Sequence, residues 1–324
     1  MPDTAHVEPI NSNVATFRAW LATGPHAIDG GLATELERAG HNLNGILWSA
    51  RLLRDDPDAI RRVHLAYFAA GAKIATSASY QASRTGFAQA GLDPNLADEL
   101  LRTSVHLARE ARDQTMAAGA SGPLWVAASI GPYGAVLGGG EEYVGHYNIN
   151  QDELIEFHAE RIEVLVSAEP DLLAIETIPD LIEVAALADV LGDYPHLPIW
   201  LSLSCRDGFH TNAGDRVTGA LEVIGKVPNL VAVGVNCTAP EYVSDLLTSL
   251  RVARVAADRP DIALLAYPNS GRVWDGATEQ WHGEGWDHLP EAVVSDWCDI
   301  GAELVGGCCG LGPAAIEHLA ATLR

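Results

Sequence analysis

The chain of 324 residues carries 43 Asp and Glu against 20 Lys and Arg, a formal charge of −23, and is 48% hydrophobic with 19% charged residues. That apolar share excludes a disordered or fibrous chain, and the negative charge repels a nucleic-acid backbone and an anionic membrane surface alike, so neither is expected as a partner. The longest charge-free stretch, 114–140, is broken by Gly122, Pro123, Gly131, Pro132 and the glycines at 138–140, so it cannot form a membrane-spanning helix.

Residues 1–13 lack the basic and apolar regions of a secretory leader, which makes the cytosol the expected compartment and free thiols the expected state of the five cysteines. Residues 1–25 read as an N-terminal arm with a short helix, and 26–324 as one domain. Short runs rich in Val, Ile, Leu and Ala then recur at 26–29, 73–77, 124–129, 171–176, 199–204, 231–236, 262–267 and 303–306. Each is too short for a helix and stops at a turn-forming or polar residue, and most are apolar throughout, as strands covered on both faces are.

Helical patterns fall between them. Ile60, Val63 and Tyr67 share one helix face; Ile155, Ile162, Leu165 and Val166 form another stripe behind an N-cap at Asn150 with Glu153 three residues on. The pattern Thr238-Ala-Pro-Glu241 predicts a capping box after the sixth strand, and Gly312-Pro313 opens the last helix. Strand and helix alternate with no linker between, which predicts an α/β chain folded as a single (β/α)8 barrel of the TIM type.

Such barrels carry their chemistry at the C-terminal ends of the strands. The polar residues lie there: Asp29 after the first run, Thr76 and Ser77 at the second, Glu176 at the fourth, Asn236 and Cys237 at the sixth, Asn269 after the seventh, Cys308 and Cys309 after the eighth. Three thiols from two loops make a soft sulfur site of the kind that selects zinc, with a fourth position left for a substrate. Buried cysteines are also ordinary small hydrophobes, and residue types alone leave both readings open. Cys205 and Cys298 are expected to stay outside the site. Asp29 and Glu176 can hold an ammonium group or exchange protons. Gly30–Gly31 and Gly306–Gly307 permit close backbone approach or positive φ. Trp48, Tyr80, Trp274 and Trp281 place aromatic rings in the loops around the mouth.

The segments Asp29-Gly-Gly-Leu-Ala-Thr-Glu-Leu36, Leu47-Trp-Ser49, Ala78-Ser-Tyr-Gln-Ala82, Gly131-Pro-Tyr-Gly134, Glu176-Thr177, Gly234-Val-Asn-Cys237, Tyr267-Pro-Asn-Ser-Gly271 and Gly306-Gly-Cys-Cys-Gly310 together closely resemble the homocysteine S-methyltransferase family, from about residue 28 onward. The resemblance implies a (β/α)8 barrel with a catalytic zinc (Zn2+) on Cys237, Cys308 and Cys309, and homocysteine sulfur at the open position. It implies that Asp29 and Glu176 face the homocysteine ammonium and that Gly30 and Thr76 lie near its carboxylate, with Tyr80 and Asn236 also against substrate. Trp48 would face a sulfonium methyl donor through cation–π attraction.

The closest branch uses S-methylmethionine; relatives use S-adenosylmethionine or betaine. Thr177, where betaine-dependent relatives place Tyr, and an ending one helix past the eighth strand both argue against betaine. The expectation is a zinc-dependent methyltransferase that forms methionine, as a monomer or small homo-oligomer. Other readings are a different donor, a selenol acceptor, or a non-catalytic zinc-binding or thiol-sensing barrel.

Overall fold

The computed structural model describes residues 12–43, 47–275 and 280–324. Strands β1 (His26–Ala27), β2 (Ile74–Thr76), β3 (Trp125–Ile130), β4 (Leu172–Ile178), β5 (Ile199–Leu203), β6 (Leu230–Asn236) and β7 (Ala263–Tyr267) precede a small antiparallel hairpin, β8 (Val273–Asp275) and β9 (Gln280–His282). Strand β10 (Ala302–Val305) then completes the main sheet. Its order is β1-β10-β7-β6-β5-β4-β3-β2, with parallel pairing throughout. A parallel bridge between Ile28 and Ile74 joins its two edges. The sheet is therefore closed, and with helices between successive strands it is a (β/α)8 barrel.

Each of the eight predicted runs is one barrel strand, displaced at its ends by one or two residues. Hairpin β8–β9 was not foreseen, because its short strands carry no apolar run. It holds Trp274 and Trp281, whose side chains lie outside the described residues.

Strand alternation sorts the core into two layers. Ile74, Ala127, Leu172, Ala174, Trp200, Ala232, Leu265 and Leu304 belong to one buried cluster inside the barrel. Val126, Ala128, Leu173, Ile175, Leu201, Val233, Leu264 and Val305 belong to a second cluster, shared with the helices. Both faces of every strand are thus removed from water, which accounts for the continuous apolar runs.

Helix Gln151–Val166 starts with the expected capping box: Asn150 accepts from the Glu153 amide at 3.0 Å and Glu153 from the Asn150 amide at 2.8 Å. The predicted box at Thr238 is not formed. The Thr238 hydroxyl donates to the Asn236 carbonyl and accepts from the Cys205 amide, both at 2.9 Å, so it ties the ends of β5 and β6 instead. The chain next forms a 3-10 turn, Pro240–Tyr242, and then helix Val243–Ala256.

Helix Ser12–Leu21 closes the end of the barrel where the strands begin. Phe17 is fully buried in the inner cluster with an edge-on contact to Trp125, and Trp20 stacks on His26 at 3.9 Å. Arg18 donates to the Pro228 and Leu230 carbonyls at 3.2 and 3.0 Å and pairs with Asp261.

Candidate metal and substrate site

Toward the C-terminal ends of the strands the inward column turns polar. Thr76 succeeds Ile74, Ser129 succeeds Ala127, Glu176 succeeds Ala174, and Asn236 lies beyond Ala232. The column opens into a cavity of about 400 Å³. Of the residues predicted for the site, Asp29, Gly30, Thr76, Tyr80, Glu176, Asn236, Cys237, Cys308 and Cys309 all line it. Trp48 begins a 3-10 turn, Trp48–Arg51, and its side chain lies outside the described residues.

Cys237 follows β6 while Cys308 and Cys309 follow β10, and their sulfurs lie within 4.8 Å of one another. The Cys237 and Cys309 sulfurs are 3.6 Å apart. Tetrahedral zinc with Zn–S bonds of about 2.3 Å puts its sulfurs about 3.8 Å apart, so the cluster is already at ligating distance. Hydrogen bonds from Cys308 and Cys309 hold the Cys237 thiol well below its ordinary range, and hydrogen bonding to Cys237 together with burial raises theirs. Among the described residues no other Cys, His, Asp or Glu joins the group. Cys205 is buried and its thiol is pushed up by desolvation.

Backbone shape aims these groups. Cys237 has φ of 45° and Thr177 of 63°, left-handed conformations that cost energy in a non-glycine residue. Asn236 holds the second in place: its Oδ1 accepts the Thr177 amide and its Nδ2 donates to the Thr177 hydroxyl, both at 2.7 Å. The pairing of β4 with β5 is irregular between Ile175 and Ile178, which is why β4 runs past its expected end at Glu176. Expected to meet substrate, Asn236 has both polar groups engaged with this neighbour.

The two carboxylates are buried and internally braced. Asp29 accepts from the Thr76 amide at 2.6 Å and from its hydroxyl at 2.9 Å. Burial nevertheless pushes its carboxyl up to about 8, with Glu176 adding repulsion. Glu176 accepts from Ser129 and, at 3.1 Å, from the Tyr267 hydroxyl; burial raises it to about 7. Neither side chain caps a helix. Both are poised to become charged when a cation enters.

Gly30, Gly31, Gly306 and Gly307 take no positive φ. A Cβ on Gly30 would sit 2.4 Å from the Leu311 carbonyl, and one on Gly31 2.8 Å from the Cys308 carbonyl. The pairs therefore bring the β1 and β10 loops together and so place Asp29 beside the thiols.

Sequence reasoning missed Ser129, Tyr267, Glu142 and Tyr143 as parts of the site. Alternation along β3 and β7 marked the first two as inward-facing strand ends. Nothing local marked Glu142 and Tyr143, which reach the cavity on the loop after β3. The Tyr143 hydroxyl lies 3.1 Å from the Cys237 sulfur. Burial and the neighbouring sulfur charge keep that hydroxyl protonated, so it donates to the thiolate.

The family model described as Homocysteine S-methyltransferase matches residues 27–323. The Homocysteine S-methyltransferase YbgG of Bacillus subtilis (strain 168) is 41% identical over 302 residues, covering 92% of this chain and 94% of its own. The Homocysteine S-methyltransferase of Escherichia coli (strain K12) is 42% identical over 297 residues, covering 91% and 94%. The crystal structure of the homocysteine methyltransferase MmuM from Escherichia coli in its metallated form superposes with a TM-score of 0.84 at 39% identity, covering 94% of this chain and 99% of that one.

Proposed function

The chain belongs to the homocysteine S-methyltransferase family, and from that premise we propose that it is a zinc-dependent enzyme transferring a methyl group from a sulfonium donor, S-methylmethionine foremost, to homocysteine. The observation that carries this reading is the convergence of three thiols at ligating distance with two buried carboxylates in one cavity. That the MmuM relative has a metallated form supports a bound metal here. Cys237, Cys308 and Cys309 would hold the zinc, which when bound supplies a Lewis acid that keeps a fourth sulfur deprotonated at neutral pH.

Asp29 and Glu176 receive the homocysteine ammonium. Their raised carboxyls ionise as the cation arrives, and the pairing replaces lost hydration on both sides. With the sulfur activated in this way no histidine is needed as a base. The substrate sulfur then forms a bond to the donor methyl carbon as the donor C–S bond breaks, its electron pair leaving on a neutral sulfide. From S-methylmethionine both products are methionine. Holding both reactants in one cavity converts an encounter in solution into an in-line approach.

The odd number of cysteines, five, fits a reducing compartment better than a disulfide framework. Among the described residues no helix is long and apolar enough to cross a membrane. The test is a donor panel: purified protein with homocysteine and S-methylmethionine, S-adenosylmethionine or betaine, before and after chelation. Methionine should form fastest with S-methylmethionine, cease on chelation and return with zinc. A preference for betaine would overturn the donor assignment, and full activity without metal would overturn the zinc.

A further inference from the structure

The loop after β3 brings a further carboxylate, Glu142, into a cavity that Asp29, Glu37 and Glu176 also line. Helix Gly134–Leu137 ends in three glycines, Gly138, Gly139 and Gly140, with φ of 75°, 140° and 93°, and a 3-10 turn, Glu141–Tyr143, follows. This strap is held on both sides. The Tyr133 amide donates to buried Glu183 at 2.6 Å and the His146 amide to Asp180 at 3.1 Å. Buried Arg161 donates to the Gly131 carbonyl at 3.0 Å and to those of Ser79 and Tyr80. At its crest, Tyr143 reaches the Cys237 sulfur. Its neighbour Glu142 therefore lines the cavity on the thiol side, where a methyl must be delivered.

No Lys, Arg or His lines the cavity among the described residues. Asp29 and Glu176 already account for the ammonium of homocysteine, and both are braced by hydrogen bonds from Thr76, Ser129 and Tyr267. For Glu142, its own backbone amide is the hydrogen-bond donor that lowers its carboxyl, against the larger effect of burial and the repulsion from Cys237 and Glu141.

We infer that Glu142 is a donor-specificity residue whose carboxylate holds the positively charged sulfonium of the methyl donor beside the metal-ligand thiols. The inference rests on the sulfonium-donor reading and adds the group that recognises the charge. It has a kinetic consequence. As the methyl passes from the sulfonium to the homocysteine sulfur, the donor's positive charge is consumed and a neutral sulfide leaves. A carboxylate facing that charge, most of which is still on the donor sulfur in an early transition state, stabilises the bound donor and the transition state nearly alike, so it acts on KM and not on kcat.

The experiment compares S-methylmethionine with its neutral isostere 2-amino-5-methylhexanoic acid, in which CH replaces the charged sulfur. Zinc-loaded wild type, Glu142→Gln and Glu142→Asp are titrated with both by calorimetry, and donor KM and kcat are measured at saturating homocysteine. Wild type should favour the sulfonium by about tenfold or more, as a desolvated charge pair requires. Glu142→Gln should erase most of that ratio while leaving the isostere's affinity, the zinc content and the homocysteine KM unchanged. Its donor KM should rise about tenfold with kcat within about a factor of two, and Glu142→Asp should keep part of the discrimination. An unchanged ratio in Glu142→Gln, or equal losses for both ligands, would overturn the inference with the donor reading intact. Failure of the wild type to use S-methylmethionine would overturn the donor reading and this inference with it.

Discussion

At the end of the barrel where the strands begin, Phe17 is fully buried against Trp20 and Trp125, and Arg18 satisfies two strand carbonyls. At the other end, two carboxyls are buried at a cost that raises them to about 8 and 7, three thiols crowd together, and Thr177 and Cys237 hold left-handed backbone. One end gains free energy from apolar contact. The other keeps groups in states that water would relieve, and its neighbours' hydrogen bonds hold them there. Stability and chemistry are therefore separated along the barrel axis, as expected when βα loops carry the site and the opposite face carries the fold.

That separation can be broken by substitution. The largest effect is expected from Cys237→Ser, which should reduce metal content far below one per chain and turnover to background, while Cys205→Ser keeps both. Metal analysis of the two proteins decides it; zinc loss from the Cys205 variant would refute the ligand assignment. Next comes Phe17→Ala, which should cost about 3–5 kcal/mol in unfolding free energy, as truncating a buried aromatic does. Denaturant titration would show the loss. At a temperature where the variant is folded, its kcat/KM should match the wild type, and a matching fall in turnover would show that the two ends are coupled.

The smallest effects sharpen the comparison at the active end. Asp29→Asn and Glu176→Gln should each weaken homocysteine binding by roughly ten- to a hundredfold, the worth of a hydrogen bond to a charged group, with zinc retained. Both carboxyls are raised in the folded protein, so between about pH 4 and 8 it binds more protons than the unfolded chain. Stability is therefore greatest at the acid side of that window and is lost as pH rises through the folded values of about 7 and 8. The slope is at most about 1.4 kcal/mol per pH unit for each group. Asp29→Asn should flatten it, and thermal melts at pH 5 and 8 measure the difference. Homocysteine draws both groups into their charged form, so wild-type affinity should rise from pH 6 to 8; an affinity indifferent to pH would remove these carboxylates from the ammonium site.

Much of this was legible in the chain because it is encoded locally. Eight apolar runs, each ending at a polar or turn residue, are enough to call for a closed parallel barrel, and the rule that strand ends carry the chemistry brings Asp29, Thr76, Ser77, Glu176, Asn236, Cys237, Asn269, Cys308 and Cys309 to one mouth, from which the family resemblance singles out the three thiols and two carboxylates. Period and termination are properties of a few adjacent residues. Partnership is not. That Asn236 is engaged with Thr177, that Thr76 braces Asp29, and that Thr238 ties two strands in place of capping a helix all depend on groups from other strands. Tyr143 stands 94 positions from Cys237, and the turn that presents Glu142 has no periodicity to announce it. Residue type and spacing determined the barrel, its active end and the thiols that could meet there. Only closure of the barrel decided which polar side chains face the cavity and which are consumed in holding its walls, because that depends on distances between segments far apart along the chain.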